Sequence, residues 1–136
     1  AIEKAEYFAE IINQHDDFEL ITKPELCLLT YRFVPKSIQA LLSTADDEQQ
    51  EEVNSLLGQL TQFIQKRQRE NGRSFVSRTR IQVARYGGEK MIVFRVVLAN
   101  PLTTRDILHD ILAEQSLLAK ESKTLLPELM CFTKSK

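Results

Sequence analysis

Apolar residues recur every three or four positions in some stretches of the chain and alternate with polar residues in others. The first pattern predicts amphipathic helices in residues 1–15, 44–71 and 104–119. The second predicts strands over residues 18–22, 26–33, 74–86 and 89–98. Residues 23–25 and Gly87-Gly88 are the predicted turns of two hairpins, whose strands should pair antiparallel.

The predicted element order is α-β-β-α-β-β-α. Three amphipathic helices suit one face of a small antiparallel sheet, so we expect an α+β fold, a two-layer sandwich forming one domain over residues 1–136. Residues 1–15 form its entry helix, residues 36–44 are expected to hold no more than a helical turn, and residues 120–136 a looser tail. Thr44 and Thr103 are the predicted N-caps of the second and third helices.

Composition narrows the possible functions. The net charge of −1 gives no overall attraction to nucleic acid or to an anionic membrane, and no apolar run approaches a membrane span. The chain begins with neither a signal peptide nor an initiator methionine, so we expect a piece of a longer protein. Cys27 is expected in an apolar strand as a reduced core residue, and no CxxC pair occurs, which favours a cytoplasmic location.

One charge stands out in the fourth predicted strand. Arg95 interrupts the apolar run from Met91 to Leu98. An unpaired buried guanidinium is costly, so such a residue is normally ion-paired or faces a binding site. The planar fork of donors on arginine matches a carboxylate or a phosphate. Arg95 is therefore either an anion-binding residue or a structural arginine that pairs with an acid or reaches water.

The other candidate residues are weaker. Arg78 and Arg80 share one face of the third strand, where a solvated surface is the simplest interpretation. His15 and His109 have no supporting partners for metal binding or base catalysis. The sequence contains no glycine-rich phosphate loop, HExxH or GxSxG. We therefore assign no catalytic, cofactor-binding or metal-binding residue.

Three segments occur together in a recognisable order: 29–35 (LTYRFVP), 72–79 (GRSFVSRT) and 93–104 (VFRVVLANPLTT). With them the chain resembles the C-terminal small domain of the group II pyridoxal-phosphate-dependent amino-acid decarboxylases, of fold type I. The resemblance spans nearly the whole chain, and the segment around Phe94-Arg95 and Asn100-Pro101 is its most specific part. The bacterial branch acting on L-2,4-diaminobutyrate or glutamate is the most similar, with diaminobutyrate favoured and glutamate as the alternative.

The resemblance implies a role for Arg95, which matches the arginine that holds the α-carboxylate of the amino-acid substrate. It also implies that the catalytic lysine, in a His-Lys pair, lies in a large domain of the same chain together with the residues that hold pyridoxal phosphate. No His-Lys pair occurs here. The fragment alone is thus expected to be inactive and to bind no cofactor, whereas the full-length enzyme is expected to be a cytoplasmic homodimer.

Two other classes of function stay open from the residues. One is a free-standing α+β module that binds an anion or regulates a partner through Arg95. The other is a nucleic-acid binder that uses Arg78 and Arg80 together with the basic residues near 66–73, although no aromatic residues lie among them. A full-length gene of this size would favour the free-standing module. Steep salt dependence of binding would favour the nucleic-acid binder.

Overall fold

The computed structural model describes residues 2–72, 76–100 and 102–134. The helices are α1 (Ile2–Gln14), α2 (Lys36–Thr44), α3 (Asp47–Glu70), α4 (Arg105–Glu121) and α5 (Leu125–Lys134). The strands are β1 (Phe18–Glu25), β2 (Leu28–Phe33), β3 (Val76–Val83) and β4 (Glu89–Val97), and a 3₁₀ turn (Ala84–Tyr86) follows β3. Residues 73–75 and 101, expected to begin the third strand and to end the fourth, lie outside the described ranges.

The four strands form one antiparallel sheet in the order β1-β2-β4-β3, with the helices packed on one of its faces. The predicted α+β two-layer sandwich is therefore confirmed. Alternate residues of β4 explain the layering, because Phe94 and Val96 belong to the main hydrophobic core beneath the helices, as does Leu98 just after the strand. The opposite side of the sheet is called the open face below.

Two helices are present where the sequence predicted less. Residues 36–44 form the full helix α2, which buries Ile38, Leu41 and Leu42. The tail expected to be loose contains α5, whose Leu129 is fully buried in the main core. Both elements are short, and a short helix in water is stabilised mainly by the tertiary packing that the sequence pattern does not reveal.

The first hairpin turns later than predicted. Strand β1 continues through Pro24 to Glu25, so the prediction of a turn over residues 23–25 is wrong. The turn lies at Leu26 and Cys27, where Leu26 adopts a φ of 55°. Proline is compatible with an edge strand such as β1, and this explains the error. Cys27 is consequently a half-buried turn residue, not the core strand residue that we expected.

The helix caps are also displaced from their predicted positions. Asp46, not Thr44, caps α3, and its carboxylate accepts a hydrogen bond from the Gln49 amide at 2.8 Å. Thr104, not Thr103, caps α4, with its hydroxyl accepting from the Ile107 amide at 3.3 Å. In each case the true cap stands three residues before the amide that it accepts from, the usual geometry of an N-cap.

Candidate functional site

Arg95 lies on the open face of the sheet and is exposed to solvent. The interpretation of Arg95 as a charge inside a buried strand is wrong, because the open face is uncovered at Arg95 and at Val97. No ion pair or hydrogen bond links its guanidinium to any residue in the described part of the chain. Its fork of donors is thus available to an anion from outside.

Arg95 belongs to one cross-strand row that runs over all four strands. The register pairs Thr22 with Thr30, Thr30 with Arg95, and Arg95 with Ser77. Residues directly opposite each other point to the same side of a sheet. We call these four residues the polar row; in it, three hydroxyl groups share the open face with one guanidinium.

The hydroxyl groups of the row have different partners. The Oγ1 atoms of Thr22 and Thr30 are 2.8 Å apart, and the Thr30 amide donates to Thr22 Oγ1 at 3.1 Å. The register of β1 is irregular beside Thr22. The Thr22 hydroxyl therefore takes the place of the β1 carbonyl that would accept from the Thr30 amide in a regular sheet. On the other side of the row, Ser77 Oγ donates to the backbone oxygen of Arg95 at 3.3 Å.

Apolar residues flank the polar row toward the tip of the first hairpin. Val97, two residues beyond Arg95, is 41% exposed, and Leu26 in the hairpin turn is 73% exposed. The strand partner of Val97, Leu28, is half-buried. This part of the open face combines a free cation with uncovered apolar side chains.

On the other side of the row, a second hydrophobic cluster fills the open face. It consists of Ile21, Val83, Met91 and Val93, with Ile81 and Tyr86 packed against it. The 3₁₀ turn after β3 reaches across to β1, where Arg85 Nη2 donates to the backbone oxygen of Ile21 at 3.1 Å. The turn thereby encloses the cluster, which explains why both faces of β4 are apolar in sequence.

A buried polar network holds the 3₁₀ turn against the sheet, and the sequence analysis did not predict it. Arg32 is only 1% exposed and donates through Nε to Glu19 Oε1 at 2.7 Å and through Nη1 to Asn54 Oδ1 at 2.9 Å. Its guanidinium carbon lies 5.0 Å from the centroid of the Tyr86 ring. The Tyr86 hydroxyl donates to Glu19 Oε2 at 2.5 Å, and Arg85 contacts the same oxygen. The signal in the sequence was an arginine inside the apolar segment 28–34.

Tyrosines in these networks hold their protons strongly. Burial raises the pKa of Tyr86 to about 12, with the neighbouring Arg32 charge acting in the opposite direction. Burial likewise raises the pKa of Tyr31, whose hydroxyl donates to Gln115 Oε1 at 2.8 Å inside the main core. Both phenols are therefore neutral hydrogen-bond donors near neutral pH, with no features of a general base.

The remaining candidates from the sequence are not brought together. Arg78 and Arg80 are exposed, and their strand partners in β4 are Phe94 and Ile92. They therefore lie on the edge strand β3, on the side of the sheet that faces the helices. His109 Nε2 lies 2.8 Å from the Tyr7 hydroxyl, and His15 Nδ1 accepts from the Asp17 amide at 3.1 Å. Within the described ranges, no group of three or more His, Cys, Asp or Glu side chains could hold a metal ion.

That this chain alone binds no pyridoxal phosphate stays a prediction, and the surroundings of its lysines bear on it. A site for this cofactor needs a lysine held in an enclosed pocket, where desolvation lowers its pKa. Each lysine side chain that the structure describes is exposed or half-exposed.

In the described ranges, no helix is both long and apolar enough to cross a membrane.

Comparisons with known proteins place this fold among decarboxylases. No family model matches the sequence. The chain is 58% identical over 129 residues to aspartate 1-decarboxylase of Aliivibrio fischeri (strain ATCC 700601 / ES114), covering 95% of this chain and 24% of that protein. The chain thus spans about a quarter of the length of this relative.

Solved structures agree on the fold. The glutamate decarboxylase domain of the diaminobutyrate-pyruvate transaminase and L-2,4-diaminobutyrate decarboxylase of Vibrio parahaemolyticus matches with a TM-score of 0.63 and 20% identity, over 88% of this chain and 21% of that chain. Oryza sativa TDC, solved with PLP and tryptamine, matches with a TM-score of 0.60 and 18% identity, over 88% and 22%. The part of each larger chain that matches this fold is therefore about a fifth of its length.

Proposed function

We propose that this chain is the carboxylate-binding part of a longer, pyridoxal-phosphate-dependent amino-acid decarboxylase, and that its substrate is L-aspartate. The observation that carries the proposal is the 58% identity to an aspartate 1-decarboxylase over 95% of this chain. The sequence alone favoured L-2,4-diaminobutyrate, with glutamate as the alternative. The similarity to an aspartate enzyme supports placing aspartate first, and the other two amino acids become comparison substrates.

In this proposal Arg95 holds the α-carboxylate of the substrate. Support comes from its position, because its exposed guanidinium has no partner among the described residues and lies on a strand that is paired on both sides. A forked cation can fix the direction of a carboxylate and therefore of the bond that is to break. The same contact also stabilises the bound substrate before reaction, so orientation is the part of its effect that accelerates decarboxylation.

The rest of the proposed enzyme supplies the cofactor and covers the open face. The relative is about four times as long as this chain, and each described lysine side chain is exposed or half-exposed. Exposed Val97, two residues from Arg95, and exposed Leu26 in the hairpin turn are the kind of apolar surface that a neighbouring domain covers. Covering this face would remove water from around Arg95 and strengthen its attraction to a carboxylate. A cytoplasmic homodimer is part of the same proposal.

The test uses the whole reading frame that encodes this chain, expressed as one protein. Carbon dioxide release is measured with L-aspartate, L-glutamate and L-2,4-diaminobutyrate. We expect L-aspartate to give the highest kcat/KM. Preference for either of the other two would correct the substrate, and no release from any of them would reject the decarboxylase in favour of an anion-binding module.

Two variants test Arg95 in that protein. Arg95→Ala should lower kcat/KM by about 2–4 kcal/mol of transition-state stabilisation, the scale of removing one charged partner of a reacting group. Arg95→Lys keeps the charge but loses the fork, so it should remain impaired. Arg78→Ala is the matched control, because it removes an exposed arginine from the adjacent strand. Normal turnover by Arg95→Ala would show that the carboxylate is held elsewhere.

A further inference from the structure

We propose that Thr30 is a second carboxylate-binding residue: its hydroxyl donates a hydrogen bond to the same α-carboxylate that Arg95 holds. This inference rests on the proposed function of Arg95 and adds a residue to its site. It comes from the hydrogen bonds of the polar row.

The first step is the closeness of the two side chains. Thr30 is directly opposite Arg95 in the β2–β4 ladder. The Leu98 amide donates to the Cys27 oxygen at 2.8 Å, which makes Cys27 and Leu98 a hydrogen-bonded pair of this antiparallel ladder. Such pairs alternate with non-hydrogen-bonded ones, so Thr30 and Arg95 form a non-hydrogen-bonded pair. In these pairs the Cα atoms are only about 4.5 Å apart and the side chains are closest.

The second step is to account for the hydroxyl protons. Thr22 Oγ1 already accepts from the Thr30 amide, and its own proton can be donated to Thr30 Oγ1 across 2.8 Å. In this arrangement the proton of Thr30 is not needed within the row. It is free to be donated to an anion beside Arg95, and an anion there stabilises this orientation of the two hydroxyls over the reverse one.

The third step compares Thr30 with the hydroxyl on the other side. Ser77 Oγ donates its only proton to the backbone oxygen of Arg95. A hydroxyl has one proton, so Ser77 has none left for a ligand. Thr30, in contrast, is 6% exposed and held by Thr22, so little conformational freedom is lost when it binds. The row thus presents one cation and one oriented hydroxyl to the same carboxylate.

The experiment uses the full-length enzyme with L-aspartate as substrate. Thr30→Val removes the hydroxyl at nearly constant shape and should lower kcat/KM by about 10- to 100-fold, the range for a lost hydrogen bond to a charged group. Thr30→Ser keeps the hydroxyl and should stay within about threefold of the parent enzyme. Thr79→Val is the matched control, because Thr79 lies on the same face, opposite Val93, in the neighbouring row.

Two inhibitors separate binding from general damage. Succinate retains both carboxylates of aspartate without the amine, whereas β-alanine, the product, has lost the α-carboxylate. In Thr30→Val the inhibition constant of succinate should rise about 10- to 100-fold, and that of β-alanine should not change. An equal rise for both would overturn the proposal, because Thr30 would then act on the structure of the site as a whole.

A second variant without the hydroxyl, Thr30→Ala, decides the question if Thr30→Val does not fold. The failure of this inference differs from the failure of the proposed function. If Arg95→Ala loses activity and both hydroxyl-free Thr30 variants keep it, only the role of Thr30 is rejected. If the parent enzyme decarboxylates none of the three amino acids, the proposed function itself is rejected.

Discussion

Arg32 and Glu19 form an ion pair of 2.7 Å that is almost completely withdrawn from solvent, with 1% and 15% of the two side chains exposed. Glu19 also accepts from the Tyr86 hydroxyl, so one carboxylate joins the start of the sheet to the turn that closes its second cluster. Nη2 of Arg32 has no hydrogen-bond partner among the described residues. The guanidinium therefore depends on Glu19 for its charge balance.

Glu19→Gln should destabilise the chain by about 3 kcal/mol, because removing one member of a buried pair leaves the other charge uncompensated. Urea denaturation followed by circular dichroism measures the change. Glu25→Gln, at an exposed position of the same strand, is the control and should change the stability by less than about 0.5 kcal/mol. Equal midpoints for the two variants would show that solvent reaches Arg32.

The same sequence signal marked two different arginines. Arg32 and Arg95 each interrupt an apolar strand, and only Arg95 was recognised as unusual. The structure buries Arg32 in an ion pair and exposes Arg95 on the open face. Alternation along one strand could not distinguish them, because a second cluster fills part of the open face and makes both sides of β4 apolar. Only the pairing of strands far apart in sequence separates a structural arginine from an available one.

The layered fold, in contrast, followed from local pattern alone. The long helix α3 was predicted from its apolar stripe, and the second hairpin from Gly87-Gly88, whose φ angles of 69° and 78° suit glycine.

The polar residues on the buried side of α3 were missed. Gln68, for example, accepts from Gln115 Nε2 at 3.0 Å and donates to Glu114 at 3.0 Å. These partners come from α4, so no pattern within α3 could reveal them.

The stability of the chain should fall as pH rises above about 10. The pKa of Tyr86 is raised from 10.0 to about 12 in the folded chain. Between these values the unfolded chain releases a proton that the folded chain keeps, so the stabilisation is complete below pH 10 and is lost as pH rises toward 12. Thermal melts at pH 8 to 11.5 measure the loss. Tyr86→Phe should lose less stability over this range, and parallel curves would contradict the raised pKa.

Gly58→Ala should stabilise the chain by about 0.5–1 kcal/mol, the difference in helix propensity between the two residues. Gly58 lies within α3, and a Cβ there would meet the Ile92 side chain at 3.6 Å, an ordinary contact distance. Gly87→Ala is the opposite case, because its φ of 69° strains any residue with a Cβ. The melting temperature should rise for the first variant and fall for the second. A fall for both would mean that Ile92 cannot accommodate the added methyl group.

Leu60→Ala should cost about 2–5 kcal/mol of stability. Leu60 is 1% exposed and belongs to the main core, so its truncation leaves a cavity under α3. Gln59→Ala, at the neighbouring exposed position, should change the stability by less than about 0.5 kcal/mol. Chemical denaturation of the two variants side by side gives the comparison, and similar midpoints would mean that the wrong face of α3 has been assigned to the core.

The chain on its own should not bind pyridoxal phosphate at a specific site. The described lysines are exposed or half-exposed, and none has the enclosed environment that lowers the pKa of an amine enough for it to react selectively. Titration with pyridoxal phosphate, borohydride reduction and peptide mass mapping should therefore give only scattered, substoichiometric labelling of several lysines. Pyridoxal phosphate with free lysine measures this background reactivity. One modified lysine at full stoichiometry would show that this chain contains a cofactor site, and the division of roles proposed here would then be wrong.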